Sequence, residues 1–220
     1  FGLISCVKTQ EANDKNSGEI RNEESEKDIA DKEENTEENL SNKEEKVDIE
    51  YINIAPEDVR IPILMYHSIS DEDPNNDLLV PPAMFEEQMA WLEENNFTAM
   101  SMDEVLEAME TGKVPKRPIA ITFDDGYSDN YISAFPSLKN HGLKATFFVI
   151  TDGVDDGYYM SSDMLKEMQE AGMSIENHTA NHLELDKLSR EDAYDSIKRG
   201  QDFLRNVIGS DGNYLCYPVG

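Results

Sequence analysis

Ile119-Ala120-Ile121-Thr122-Phe123-Asp124-Asp125-Gly126 is an apolar run that ends in two adjacent carboxylates and a glycine. Near-continuous apolar residues over this length describe a strand buried on both faces, as in a parallel sheet. Two acids at the end of such a strand cost several kcal/mol unless a positive charge meets them. A metal ion is the charge that the pattern calls for. Further on, His178-Thr179-Ala180-Asn181-His182 places two imidazoles four residues apart, after Met173-Ser174-Ile175-Glu176, which reads as another strand. If both histidines leave the end of that strand, one Asp and two His form a three-ligand site with positions left for water and substrate. Taken singly, either pattern is common enough to be a polar cluster satisfied by hydrogen bonds. Non-haem iron oxygenases also use two His and one carboxylate.

Outward from this pair of segments, strands and helices alternate. Residues 61–66 read as a first strand, with Pro62 near its start where the missing N–H matters least. A polar loop follows over 70–77, and residues 82–94 place Phe85, Met89 and Leu92 at helical spacing. Ser101 and Glu104 make a capping box that opens a helix running through Met109 and stopping near Gly112. Residues 129–141 read as a helix despite Pro136, with His141 as a helix-end histidine rather than a ligand. Residues 145–150 are a strand and 162–171 a helix. Ser189 and Asp192 open the last helix, with Ala193, Ile197, Leu204 and Ile208 on one face. Residues 213–217 read as a final strand. Five strands alternating with helices predict an α/β fold with parallel pairing. In such folds active sites collect at the C-terminal ends of strands, where His67, Asp124, Asp125, His178, His182 and Tyr217 all fall.

The chain of 220 residues carries a net charge of −28, which disfavours nucleic acid or an anionic membrane face as a partner. Residues 1–50 hold sixteen acids and seven bases. Residues 7–50 are dense in Glu, Lys, Asn, Asp and Ser and lack helical periodicity, the composition of a disordered acidic linker. Such a coil would span roughly 35–40 Å, more with charge repulsion. The two cysteines, Cys6 and Cys216, do not suggest a disulfide framework. Cys216, within Tyr214-Leu215-Cys216-Tyr217, reads as a small buried residue. The chain begins at Phe1 rather than Met, and Leu3-Ile4-Ser5-Cys6 has the Leu-x-small-Cys form that ends a bacterial lipoprotein signal peptide. Residues 1–6 are therefore expected to be a signal remnant with Cys6 as the lipidated residue. No stretch approaches the roughly 20 apolar residues that span a bilayer.

Thr122-Phe123-Asp124-Asp125-Gly126 followed by His178-Thr179-x-x-His182 resembles the first two motifs of the polysaccharide deacetylases, the NodB-like carbohydrate esterases. Tyr217-Pro218-Val219-Gly220 resembles the beginning of their third motif, and Pro62-Ile63-Leu64-Met65-Tyr66-His67-Ser68-Ile69 the opening strand of one large branch. The resemblance covers residues 61–220 in the expected order. It implies a distorted (β/α)₇ barrel over residues 51–220, incomplete in this chain. It also implies a divalent metal, zinc before others, on Asp125, His178 and His182, with Asp124 as general base toward the attacking water. The backbone N–H of Val219 would help to hold the oxyanion, and Tyr217 and His67 would lie beside the substrate. His67 reads equally well as a structural histidine at a strand end. Many members carry an Arg at the position of Cys216, where it orients the base, so this chain lacks that support. The histidine that serves as general acid in the family would lie beyond Gly220.

These readings combine into a metal-dependent hydrolase that removes N-acetyl groups from N-acetylglucosamine-containing cell-wall or extracellular polysaccharide. The lipid on Cys6 would hold it on the outer face of a bacterial membrane. The alternatives are an O-acetyl carbohydrate esterase of the xylan type and a catalytically impaired glycan-binding pseudoenzyme.

Overall fold

The computed structural model describes residues 49–210 and 212–219. The lipidation reading of Cys6, nearly all of the linker reading and Gly220 lie outside the described residues. Strands and helices follow in the order β1 (Tyr51–Asn53), β2 (Ile63–Tyr66), α1 (Pro82–Glu94), β3 (Thr98–Met100), α2 (Met102–Thr111), β4 (Lys113–Pro115), β5 (Pro118–Phe123), α3 (Phe135–Asn140), β6 (Thr146–Val149), α4 (Ser162–Glu170), β7 (Ser174–Asn177) and α5 (Arg190–Val207).

Strand β5 is the axis of the sheet, and Ile119 through Phe123 are all buried. It pairs in parallel with β2, β3 and β6, and β6 pairs in parallel with β7. Ala120 faces Ile63 of β2 and Met100 of β3 at once, so β3 and β2 lie on opposite edges of β5. Strand β3 therefore shares an edge with β6, covering the first half of β5 while β6 covers the end. Strands β1 and β4 form a separate antiparallel pair. The five parallel strands are an open sheet among the described residues, and closing a seven-stranded barrel needs two more.

Tyr66, Phe123 and Phe147 occupy one row across β2, β5 and β6. Their rings stack, with centroids 5.3 Å apart for Tyr66 and Phe123 and 4.6 Å apart for Phe123 and Phe147. Phe85 of α1 meets the first two edge-on. Each such ring contributes about 1.5–3 kcal/mol by leaving water, and the row forms an apolar floor one residue before Asp124.

Several sequence expectations hold in detail. The helix over 82–94 is α1, buried through Phe85, Met89 and Leu92. Ser101 and Glu104 form the capping box of α2, and Gly112 caps its other end at φ 75°. His141 ends α3 with its ring nitrogens on Glu93 and Glu86, at 2.6 and 2.8 Å, which keeps it out of any ligand set.

Others are corrected. Strands β1, β3 and β4 are each three residues long, too short to show alternation. The helix over 129–141 begins as a π-helical stretch, Asn130–Ala134, before α3; Pro136 has no N–H to continue an α-helical ladder. Residues 213–217 do not form a strand: a single parallel bridge joins Leu215 to Asn177, and Pro218 offers no N–H to extend it. That segment is held by β7 instead. Asn177 exchanges backbone bonds with Tyr214 and Cys216, and the buried Glu176 carboxylate accepts from the Tyr214 N–H at 3.0 Å.

The buried positions of α5 are Ser196, Gly200 and Leu204, whereas Ala193, Ile197 and Ile208 of the expected face are only half-buried. The reason is local. The helix lies against the loop that leaves β7, where the Asn177 amide donates to the Ile197 carbonyl at 2.9 Å and Ala180 N–H to the Ser196 carbonyl at 3.0 Å. A Cβ on Gly200 would sit 2.3 Å from Asn177 Oδ1 and 3.1 Å from the Thr179 carbonyl carbon. Gly200→Ala is therefore expected to lower stability by about 1–3 kcal/mol, measured by chemical denaturation, whereas an exposed alanine substitution such as Glu191→Ala stays within about 0.5 kcal/mol.

Candidate metal centre

Asp124 and Asp125 leave the end of β5 and are 5% and 6% exposed. The Asp124 N–H still donates to the Tyr66 carbonyl, at 2.9 Å. Asp125 then enters the left-handed region at φ 72°, and Gly126 continues there at φ 84°. The second carboxylate thus leaves from a turn rather than from strand backbone. Left-handed backbone is uncommon for residues other than glycine. Asp125, Thr179, His182 and Val219 all adopt it here, at φ 72°, 67°, 54° and 65°. Such strain of about 1–3 kcal/mol per residue persists where the surrounding structure over-determines it.

His178 follows β7 directly and is buried. Its Nδ1 lies 3.0 Å from the Cys216 carbonyl; a carbonyl only accepts, so Nδ1 carries hydrogen and Nε2 points the other way. His182 is reached through a turn in which Asn177 Oδ1 accepts from the Thr179 N–H at 2.8 Å and Thr179 Oγ1 from the His182 N–H at 3.1 Å. Ser196 donates to Asn181 Oδ1 at 2.7 Å and pins the same turn to α5. The outcome is convergence. Asp125 Oδ1 lies 3.4 Å from His178 Nε2 and 3.3 Å from His182 Nε2.

That oxygen is buried and has no hydrogen-bond partner, although buried polar atoms are nearly always paired. An unsatisfied anionic oxygen between two imidazole nitrogens fits a divalent cation, and Asp125, His178 and His182 together could hold one. A hard oxygen with two imidazoles suits zinc and similar divalent ions.

The charges within the group are strongly coupled. Burial raises the Asp125 pKa, but the facing His178, the Tyr127 hydroxyl and the charge of the imidazoles outweigh it and hold the carboxyl below its usual value. For His178, burial opposes the charged form. Its contacts with Asp125 and Cys216, with Asp124 nearby, prevail and push it up to about 10. Burial lowers His182, and the neighbouring His178 lowers it further against the pull of Asp125. The charged form is thus favoured at His178 by its acidic and carbonyl neighbours, and the neutral form at His182 by burial and by His178.

Asp124 faces another neighbour. The Cys216 thiol donates to its Oδ2 at 3.4 Å. Cys216 is half-buried, not the inert filler expected of it, because the bonds from Asn177 and His178 place it against the acid. Tyr217 and Val219 come next and are 62% and 73% exposed. His67 is half-buried and close enough to His182 to lower its pKa by repulsion. Its loop is clamped by the segment that follows β5, where Asn130 Nδ2 donates to the His67 carbonyl at 2.7 Å and Asp129 accepts from Ser68 Oγ and the Ile69 N–H. Asp129, Asn130, Asn177 and Ser196 were missed from sequence. The only signal they carry is a polar residue among apolar neighbours.

Residues 111–220 match the polysaccharide deacetylase family profile. A Bacillus subtilis protein named for the same family, YxkH, is 38% identical over 162 residues, covering 73% of this chain and 57% of that protein. The poly-beta-1,6-N-acetyl-D-glucosamine N-deacetylase of Staphylococcus epidermidis is 29% identical over 184 residues, 71% of this chain and 64% of that enzyme. The chain thus spans about three fifths of the length of these curated relatives. Among solved structures, Streptococcus pyogenes deacetylase PplD in complex with acetate is 34% identical with a TM-score of 0.70, covering 74% of this chain and 75% of that one. A polysaccharide deacetylase from Bacillus cereus is 31% identical with a TM-score of 0.64, covering 72% and 51%. The chain belongs to the polysaccharide deacetylase family, and its parallel α/β fold is the one those deacetylases share.

A cation on this group must displace the proton that His178 carries near neutral pH. Deprotonation becomes easier as pH rises toward about 10, so affinity for Zn²⁺ or Co²⁺ should increase with pH, by up to about tenfold per unit. Calorimetry in buffers of different ionisation enthalpy should show release of about one proton per ion near pH 7. Affinity that falls with rising pH, or uptake without proton release, would contradict this charge assignment.

Proposed function

We propose that this member of the polysaccharide deacetylase family hydrolyses N-acetyl groups on N-acetylglucosamine-containing cell-wall or extracellular polysaccharide. The observation that carries the reading is the orphaned Asp125 oxygen between two imidazole nitrogens, with a second buried carboxylate, Asp124, beside it and outside that contact. The printed name of the staphylococcal relative supports N-acetyl rather than O-acetyl removal.

In this reading Asp125, His178 and His182 hold a divalent metal, zinc first among the choices. When bound, that ion acts as a Lewis acid that polarises the acetyl carbonyl and acidifies water. Asp124 takes the proton from the water that attacks the acetyl carbon. Its carboxylate accepts from the Cys216 thiol, which stands where many family members carry an Arg. The Val219 N–H lies in the turn at φ 65° and would donate to the developing oxyanion. Tyr217 and His67 would lie beside the substrate, and His67 would pass a proton toward the leaving amine. As the C–N bond breaks, the acetyl carbon keeps the water oxygen and the amine leaves with a proton.

The sheet of β2, β3, β5, β6 and β7 is read as part of the distorted (β/α)₇ barrel of the family. Cys6 would carry a lipid, and the acidic stretch after it would hold the domain away from the outer face of a bacterial membrane.

Acetate release from an N-acetylglucosamine oligomer tests the function. Asp124→Asn should lower kcat by about 10²–10⁴ while metal content stays stoichiometric; unchanged turnover would remove Asp124 from its role. Cys216→Ala should lower kcat by about three- to tenfold, and Cys216→Ser should restore most of it. Equal rates in the two variants would show that the thiol does not position the base.

A further inference from the structure

Next to the candidate metal centre, the structure builds an aromatic surface that none of the roles above uses. The Tyr127 hydroxyl meets the Asp125 carboxylate, and the Tyr127 ring stacks on Tyr159, with centroids 5.4 Å apart and planes at 11°. Tyr158 stands edge-on to both, at 5.3 and 5.2 Å, and is 65% exposed. The three rings thus lead from a buried ligand candidate to open solvent.

The surface is rigid for identifiable reasons. The Ser128 N–H donates to the Tyr158 carbonyl at 3.0 Å and the Met160 N–H to the Gly126 carbonyl at 2.9 Å. A further bridge pairs Tyr127 with Tyr159. These bonds tie the tyrosine segment to the backbone that immediately follows Asp125. Asp156 Oδ1 accepts from the N–H groups of both Tyr158 and Tyr159, at 2.8 and 3.0 Å, which fixes the turn that presents them. Space is reserved beneath: a Cβ on Gly153 would lie 2.3 Å from the Tyr159 ring.

An exposed aromatic ring held this firmly is not accounted for by the core, because burial is not what keeps Tyr158 in place. A pyranose ring presents an apolar face of C–H groups and a polar rim. A fixed tyrosine matches this on both counts, with a flat apolar face and a hydroxyl at its edge. We propose that Tyr158, backed by Tyr127 and Tyr159, is a sugar-stacking platform that holds a residue of the glycan chain next to the one whose acetyl group is removed. The proposal deepens the deacetylase reading and rests on it for the substrate class. It makes the polymer, rather than the isolated sugar, the ligand that the protein recognises.

The test separates binding from turnover. N-acetylglucosamine and its oligomers of increasing length are titrated into the metal-free full chain and its Tyr158→Ala, Tyr158→Phe and Tyr158→Trp variants, with affinity read by calorimetry and contacts by saturation-transfer NMR. Wild-type affinity should rise with chain length, Tyr158→Ala should weaken oligomer binding by about three- to tenfold, and Phe and Trp should retain it. Saturation transfer from the aromatic ring at position 158 to sugar C–H protons should persist with Tyr, Phe or Trp there and be lost in Tyr158→Ala. Oligomer affinity that is equal in wild type and Tyr158→Ala, or absent from both, overturns the platform. Acetate release measured in parallel on the metal-loaded protein judges the deacetylase reading by itself: binding without release keeps the platform and rejects that reading, and release with Tyr158-independent binding does the reverse.

Discussion

A single carboxylate oxygen sets the terms for this structure. Asp125 Oδ1 is buried, anionic and without a hydrogen bond, and two imidazole nitrogens lie 3.3 and 3.4 Å away. Desolvating such a group without compensation costs several kcal/mol. Its surroundings must hold it in place against that cost, and much of the local architecture does so. The apolar row of Tyr66, Phe123 and Phe147 anchors the strand end from which it emerges. Left-handed backbone at Asp125, Thr179 and His182 aims the groups inward, and the strain persists because backbone and side-chain bonds from β6, β7 and α5 leave no relaxed alternative.

The same logic accounts for a helix that looks poorly designed. On an isolated amphipathic helix the buried stripe would be large and apolar, yet α5 buries Ser196 and Gly200 ahead of Leu204. Those small residues let the helix backbone reach the loop between the two histidines. The loss in apolar burial is offset by hydrogen bonds that fix where His182 points. Cys216 belongs to the same economy of placement: its carbonyl orients one imidazole and its thiol meets Asp124.

Much of this was legible in the sequence, for reasons that differ between elements. The β5 run and the Asp doublet could be read because continuous apolar residues and adjacent acids are incompatible unless a cation or a turn intervenes. The capping box at Ser101 and the periodicity of α1 could be read because each is a local rule with a local cause. Strand β3 escaped because Thr98–Met100 is defined by its partner on β5, not by its own pattern. Residues 213–217 look like a strand but take only one bridge, since their register is set by Asn177 and Glu176 rather than by a continuous edge. Asn177, Ser196 and Gly200 escaped for the opposite reason to Asp125: small and neutral side chains carry no signature, and their importance lies in how close two backbones come. Cys216 was misread because a thiol between apolar residues is more often filler than donor.

Crystals of the chain soaked in Zn²⁺ and measured across the zinc absorption edge test the account's central claim most directly. The account predicts one strong anomalous peak within about 2.0–2.2 Å of Asp125 Oδ1 and of the Nε2 atoms of His178 and His182, with Asp124 left outside the ligand set. Zinc bound elsewhere, or through Asp124 with Asp125 Oδ1 still unpartnered, would contradict it.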